Sequence, residues 1–371
     1  MYRIMNQKTV IIMFLPNFVV SGAGRSVFEL IKNLDKKKFD VNVICFKKCE
    51  YRNKIKKFAN LYELNVNRIL FSFNKIFRIS QQIRNRSKNK KIIFVSNIHY
   101  ANILAFFLKL KLEEIKIIGI ERTAISELDL FYSFNDYIKK KIVKLLIKLI
   151  YQKFDKIVAN CKYVENEIKK FSSKNTLTIH PSAFLENRQI NKTNNDLNIL
   201  MVGRLSKEKG IDLALHALSK VKNKFTLTIV GRGTDKKKLI NLSEKYFGKN
   251  YKTIIHFVGH HQNLNQFYKK SNLFLNTSHF EGFSNAIIDA MNYGIPIIAS
   301  NCPGGNTEIL QNGKYGLLFK SKNHNDLKSK ILKFLNNKKL FRSKAKIAKE
   351  YIKNFSKEKS IKKYSNLFEK I

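Results

Sequence analysis

The chain has 371 residues, 44% hydrophobic and 26% charged, which excludes a disordered or fibrous protein and leaves room for two cores. Lys and Arg number 71 against 27 Asp and Glu, a formal charge of +44 that favours polyanionic partners: nucleic acid, an acidic lipid leaflet or phosphorylated substrates. An AT-rich coding bias toward Lys, Asn and Ile accounts for part of that excess, though it would equally have allowed more Glu.

The N-terminus is basic and then briefly apolar. Its run Val10–Leu15 is shorter than a signal-peptide core and reads as a first buried strand. Nothing approaches the roughly 18 consecutive apolar residues of a membrane span. Four cysteines, Cys45, Cys49, Cys161 and Cys302, show neither paired metal spacing nor a disulfide framework. A cytoplasmic protein, soluble or peripheral, is the expectation.

Short apolar runs then alternate with helical patterns, as in βα units on a parallel sheet. In the first half the strand candidates are TVIIMFL, VNVICF, KIIFVS, IKIIGI and DKIVAN, with helices such as GRSVFELIKNL, NILAFFLKLKL and IKKKIVKLLIKLIYQ between them. The polar stretch Glu186–Asn198 lacks periodicity and reads as a linker. The pattern then restarts with NILMVG, a helix from about Gly210, FTLTIVG, another helix, TIIHFVG, LFLNTS and IPIIAS; from about Leu327 it is helical and Lys-rich. An α/β protein of two Rossmann-like parallel-sheet domains facing a cleft is expected, with boundaries at 1–185 and 186–355 and a last segment 356–371.

Ligands of parallel sheets bind beyond the carboxyl ends of the strands. Four unusual loops fall there: PNFVVSGAGRS, GRLSKEKG, GRGTDKK and HFEGFSN. In the second, Gly203 precedes Arg204, and Lys209 follows five residues on, before a helix. Two cations with helix N-terminal amides suit a diphosphate; in so Lys-rich a chain, Lys209 is equally readable as a solvated loop lysine. In the first, Gly22 and Gly24 permit close approach of backbone to a phosphate or sugar. The third glycine of a dinucleotide fingerprint is replaced by Val27, which rejects a nicotinamide site. Gly231 opens the third loop, where a tight turn needs no ligand. In the fourth, Glu281 and Gly282 precede Phe283, Ser284 and Asn285, whose amides could hold an anion. Asp289, eight positions after Glu281 in the helix that follows, either reaches back toward the loop or is a first-turn acid complementing the helix dipole.

Glu281-Gly-Phe with an acid eight positions on, followed by AMNYGIPIIAS and PGGNTEILQNGKYGLLF, resembles the retaining glycosyltransferases of family 4 (glycosyl transferases group 1), as does GRLSKEKGIDLALHAL. The resemblance is dense from about Asn198 to Phe319 and looser in the N-terminal half, where SGAGRS is similar to that family's Gly-Gly-Ala-Glu-Arg loop. It implies the GT-B fold, with the donor mostly on the C-terminal domain and the terminal helix crossing back to the N-terminal one. It also implies roles. Arg204 and Lys209 would grip the diphosphate of a nucleotide sugar, Glu281 the donor sugar's hydroxyls, and Phe283, Ser284 and Asn285 would offer amides. Asp289 stands where the family has Glu on the ribose, and Gly22 would let the first loop close on the donor; Gly231 and Gly282 complete the donor loops. Ser21 and Gly24 depart from the family's Gly and Glu.

Fixed cations aimed at a leaving diphosphate lower the barrier to its departure. No Asp-x-Asp triplet is present, so no metal or other cofactor is expected, and Arg204, Lys209 and Glu281 carry the catalytic expectation. Acceptor contacts are sought in the first half: His99 after KIIFV, and Glu121 and Arg122 after IKIIGI, each also readable as a polar loop residue or a local ion pair. The helical stretch 136–154 aligns Ile138, Ile142, Leu145 and Leu149, with Lys139, Lys140, Lys141, Lys144 and Lys148 mostly elsewhere. That stripe either packs on the N-terminal sheet or rests on an anionic inner leaflet, where a surface-glycan or lipid-linked acceptor would be met. Two other classes stay open: a basic nucleic-acid-binding protein, for which no strand platform of interleaved aromatic and basic residues is found, and an inactive glycan-binding relative. Nucleic acid is not an expected partner.

Overall fold

The computed structural model describes residues 7–19, 21–47, 49–66, 72–173, 175–183 and 197–371. It divides into two units, Met1–Ser182 together with Lys357–Ile371, and Ala183–Ser356.

The first unit is built on seven strands: β1 (Thr9–Phe14), β2 (Phe39–Cys45), β3 (Asn60–Glu63), β4 (Ile92–Asn97), β5 (Lys116–Glu121), β6 (Lys156–Ala159) and β7 (Thr176–Thr178). They pair in the order β3-β2-β1-β4-β5-β6-β7, every pair parallel. Ile11 stands in register with Val41 on one side and Ile93 on the other. A strand covered on both faces has no solvent side, so β1 reads as an unbroken apolar run, and Val10 to Phe14 are all fully buried. The helix Gly22–Asn33 lays Val27, Leu30 and Ile31 into the same core as Ile11, Met13, Val43 and Val95. Tyr364 and Phe368, from the far-downstream helix Lys357–Lys370, complete that core.

The second unit repeats the plan with β8 (Leu197–Val202), β9 (Phe225–Val230), β10 (Ile255–Gly259), β11 (Leu273–Asn276), β12 (Ile297–Asn301) and β13 (Leu317–Lys320). Its order is β10-β9-β8-β11-β12-β13, again wholly parallel. In both sheets the chain winds outward in one direction and then restarts on the other side of its first strand. The loops after β1 and β4, and after β8 and β11, therefore flank the points of reversal, where open α/β sheets leave a crevice.

Three strands lie outside the expected set: β3, β7 and β13 are only three or four residues long and partly exposed, so no sustained apolar run marks them. Of the stretch expected as a linker, residues 186–196 lie outside the described residues, while Leu197 and Asn198 open β8. Ser133 caps the helix Phe134–Ile150, which buries Val143, Ile147 and Ile150. Ile138, Ile142, Leu145 and Leu149 are exposed instead, so the reading of that stripe as a packing face is overturned. Among the described residues no helix is long and apolar enough to cross a membrane. All four cysteines are buried and none forms a disulfide.

Candidate active site

The loops after β8 and β11 bring Gly203, Lys209 and Glu281 together. Gly210 holds a left-handed φ of 58°, and a Cβ there would sit 2.3 Å from the Thr277 carbonyl. Thr277 Oγ1 in turn donates to the Lys209 carbonyl at 2.9 Å, and the His279 amide donates to Glu208 at 2.8 Å. So pinned, Lys209 runs its aliphatic stem over Gly203, with Cδ 3.7 Å from where a Cβ would be, and its Nζ meets Glu281 Oε1 at 2.6 Å. Ser278 Oγ donates to the same oxygen at 2.6 Å and Asn276 Nδ2 at 3.3 Å. Burial pushes the Glu281 carboxyl up, but the Lys209 ammonium and these donors outweigh it and hold the group below the ordinary carboxylate value.

The loop after β12 clamps this arrangement. The Glu281 amide donates to Pro303 at 2.9 Å and the Gly305 amide to Gly282 at 2.7 Å. Gly304 (φ 130°) passes so close that a Cβ would lie 2.0 Å from the Glu281 carbonyl. Asn306, fully buried, donates to Asn276 Oδ1 at 3.1 Å and to the Ser300 carbonyl at 3.0 Å. Asn276, Ser278, Gly304 and Asn306 were not singled out from sequence. The rule that located the other loops, inspection of strand ends, would have found them after β11 and β12. Among 371 residues rich in Asn and Ser, nothing else distinguishes them.

Ser284, at the N-cap of the helix Asn285–Asn292, is buried and uses its Oγ to accept from Asn276 Nδ2 at 3.4 Å. Phe283 packs edge-on against Phe355, ring centroids 5.0 Å apart. Asp289 is the fifth residue of that helix and is buried, so the reading of this acid as a first-turn complement to the helix dipole does not hold. Arg204 stands 74% exposed and pairs with Glu208 at 3.1 Å, apart from the Lys209–Glu281 contact. Gly231 is required by crowding of the β8 and β9 loops: a Cβ there would lie 1.7 Å from the Gly203 carbonyl.

In the first unit, Gly22 opens the helix after β1, and Ser21 Oγ caps it by accepting from the Gly24 amide at 3.2 Å. A Cβ on Gly24 would lie 2.1 Å from the Val19 carbonyl. Both departures from the Gly-Gly-Ala-Glu-Arg pattern thus have local reasons: a serine that caps, and a glycine under a carbonyl.

His99, Glu121 and Arg122 fall in two buried networks at the ends of β4 and β5. Glu121, fully buried, accepts from Asn102 Nδ2 at 2.9 Å and from the Tyr151 hydroxyl, while Ser96 Oγ donates to Asn102 Oδ1 at 2.6 Å. The second oxygen of Glu121 faces His99 Nδ1 at 3.7 Å. Burial lowers the His99 imidazole pKa, but the Glu121 carboxylate reverses this and raises it above its ordinary value. Burial likewise drives the Tyr151 phenol well up. Arg122 turns the other way, donating through Nε and Nη2 to Asn97 Oδ1 at 3.0 and 2.8 Å. Burial lowers its pKa, and Tyr364 from the Lys357–Lys370 helix sits near it, its own phenol raised to about 12 by burial.

Two doubly wound parallel sheets of this order are the architecture of the GT-B fold. Residues 183–355 match the family described as Glycosyl transferases group 1, and residues 20–182 match Glycosyltransferase Family 4. The chain belongs to this family. An uncharacterized glycosyltransferase of Methanocaldococcus jannaschii is 30% identical over 58% of this chain and 60% of its own length. The N-acetylgalactosamine-N,N'-diacetylbacillosaminyl-diphospho-undecaprenol 4-alpha-N-acetylgalactosaminyltransferase of Campylobacter jejuni is 26% identical over 74% of this chain and 75% of that protein. Among solved structures, Anabaena HepE in complex with UDP-glucose superposes with a TM-score of 0.81 at 14% identity, covering 98% of this chain and all of that one.

Proposed function

We propose that the protein is a retaining, metal-independent glycosyltransferase of hexosyl or N-acetylhexosaminyl type. It moves a sugar from a nucleotide-diphosphate sugar to a surface-glycan or lipid-linked oligosaccharide acceptor, as a peripheral protein at the cytoplasmic face of the membrane. The observation that carries this reading is the Lys209–Glu281 pair, 2.6 Å apart at the ends of β8 and β11.

An ammonium has three N–H donors. Glu281 takes one and fixes where Nζ points, leaving the others for the diphosphate, with Arg204 as a second, exposed cation. Glu281 Oε2 is the natural acceptor for a donor-sugar hydroxyl, the amides of Phe283, Ser284 and Asn285 face sugar and phosphate, and Asp289 serves the ribose. As the bond from the anomeric carbon to the diphosphate oxygen breaks, its electron pair stays on that oxygen. The negative charge growing there is met by cations already in place, which need not reorganise. The acceptor hydroxyl attacks from the face just vacated and gives its proton to the departing phosphate oxygen, so the configuration is retained. The HepE complex with UDP-glucose supports a nucleotide-diphosphate sugar as donor, and the undecaprenol named for the Campylobacter relative supports a lipid-linked acceptor.

The test is a thermal-shift screen of nucleotide sugars, since a ligand of the native state raises the midpoint, followed by transfer to an undecaprenyl-diphosphate-linked glycan with and without chelator. A shift abolished in Lys209→Ala, and transfer that survives chelation with retained configuration, is the expected result. Loss of transfer on chelation removes metal independence. No shift with any nucleotide sugar sinks the sugar-transfer reading.

A further inference from the structure

The helix Phe134–Ile150 has two apolar faces, and the fold uses one. At about 100° per residue, Phe134, Ile138, Ile142, Leu145 and Leu149 gather on a stripe roughly opposite the buried Val143, Ile147 and Ile150. Phe134 is 74% and Leu149 62% exposed. Phe131 and Tyr132 stand half exposed in the turn just before the helix, and Phe107 and Leu110 are exposed on the neighbouring helix His99–Lys111. Nine of the thirteen large apolar side chains left in water among the described residues thus fall between positions 107 and 149. Scattered apolar residues need no explanation, but a concentration does.

The exposure is held in place. Lys144 Nζ grips both carboxylate oxygens of Asp129 at 2.6 Å. Lys140 pairs with Asp136 at 3.1 Å and donates to the Leu130 carbonyl. The Tyr132 amide donates to Asp136 Oδ2, and the Asp136 amide to Ser133 Oγ, each at 3.2 Å. These bonds lock the turn so that its aromatic rings stand outward at the head of the stripe, with Tyr137 against Phe131 at 4.8 Å. Two lysines are engaged inward in this way. Lys139 on one edge of the stripe, and Lys141 and Lys148 on the other, are left to flank it, the first two lying against the rings of Tyr100 and Tyr137.

We propose that this face docks on an anionic bilayer. The aromatic turn and the apolar stripe enter the boundary between headgroups and acyl chains, and the three flanking lysines remain among the lipid phosphates. A second copy of the chain is the poorer occupant, because a two-fold contact would set lysine rows against their own kind. The proposal rests on the membrane-face reading and deepens it by assigning the surface and the mode of contact, which is insertion rather than charge alone.

The experiment is sedimentation of the full chain with phosphatidylcholine vesicles and with mixed phosphatidylcholine–phosphatidylglycerol vesicles, at low and high salt. The protein should pellet with the mixed vesicles and stay partly bound at high salt, since inserted apolar area is not screened. An Ile142→Ser/Leu145→Ser variant changes no charge and only exposed positions; it should lose binding by roughly tenfold or more. A Lys139→Gln/Lys141→Gln/Lys148→Gln variant should lose the preference for phosphatidylglycerol. A parent chain that stays in the supernatant, or a serine variant that binds as the parent does, overturns the proposal. So does a lipid-free dimer that the serine variant dissolves. The nucleotide-sugar thermal shift, read on the same samples, separates the two claims: a retained shift without vesicle binding removes the surface alone, and vesicle binding without any shift removes the sugar-transfer reading alone.

Discussion

Lys209 and Glu281 are 72 residues apart in sequence and 2.6 Å apart at their charged ends, both largely withdrawn from water. Burial pushes the Glu281 carboxyl up, but the Lys209 charge together with the hydrogen bonds from Lys209, Ser278 and Asn276 outweighs it and holds the group below its ordinary 4.5. A depressed carboxyl adds stability that is present above its unfolded pKa and lost as pH falls through the folded one. Lys209→Met should therefore cost about 3 kcal/mol near neutrality by stranding a buried carboxylate, and the penalty should shrink as pH drops below 4.5. Lys209→Met/Glu281→Leu should recover most of it. Urea unfolding across pH checks this; a double variant as unstable as the sum of its parts would show that the two charges do not depend on each other.

The clamp after β12 makes a separate prediction. Gly304→Ala places a methyl 2.0 Å from the Glu281 carbonyl, a backbone atom that cannot rotate away. It should cost about 2 kcal/mol or more and abolish the nucleotide-sugar thermal shift. Gly259 also has a left-handed φ, 81°, but meets nothing within 4 Å. Gly259→Ala should cost only about 1–2 kcal/mol of backbone strain and keep the shift. Identical behaviour of the two variants would mean that the close approach does not hold Glu281.

Much of this was legible from residues alone. The long strands announce themselves because a doubly covered strand is apolar through its middle, as Val10–Phe14 of β1 and Ile92–Val95 of β4 are. The loop motifs are visible because Gly, Arg and Glu there interrupt apolar runs at strand ends. Contacts between distant loops are not visible: no spacing in the chain says that Lys209 ends on Glu281, or that Asn306 reaches Asn276. Nor could periodicity say which apolar face of Phe134–Ile150 turns outward, since both repeat at helical spacing and only the packing partner decides. The buried state of Glu121 was equally hidden, because it depends on Asn102 and Tyr151, brought in from two other elements.

The Glu121 network predicts a titration. His99 is raised above 6.5 by Glu121 against the pull of burial. A raised histidine contributes stability that is full below its unfolded pKa and is lost as pH rises through the folded value. With Glu121→Gln, burial prevails and the His99 pKa should fall below 6.5, removing that alkaline loss from the stability profile. Imidazole chemical shifts followed against pH would decide it; an unmoved His99 would rule out Glu121 as the cause.

Asp289 tests the donor assignment. If it serves the ribose, Asp289→Asn should weaken nucleotide-sugar binding by about tenfold or more, the worth of a hydrogen bond to a charged group. Titration calorimetry with the nucleotide sugar that gives the best thermal shift measures this directly. An unchanged Kd would assign Asp289 to the packing of its own helix.

The helix Lys357–Lys370 carries a consequence for synthesis. Phe368 is fully buried, its ring 5.9 Å from Phe39, and Glu369 reaches Lys38 at 2.8 Å and, through its carbonyl, Lys91 at 2.9 Å. On a ribosome the first unit is therefore left waiting, with Phe39 uncovered, until the second has been translated in full. Ala183–Ser356 is continuous and suffers no such delay. The order in which the two halves mature should run opposite to the order in which they are made.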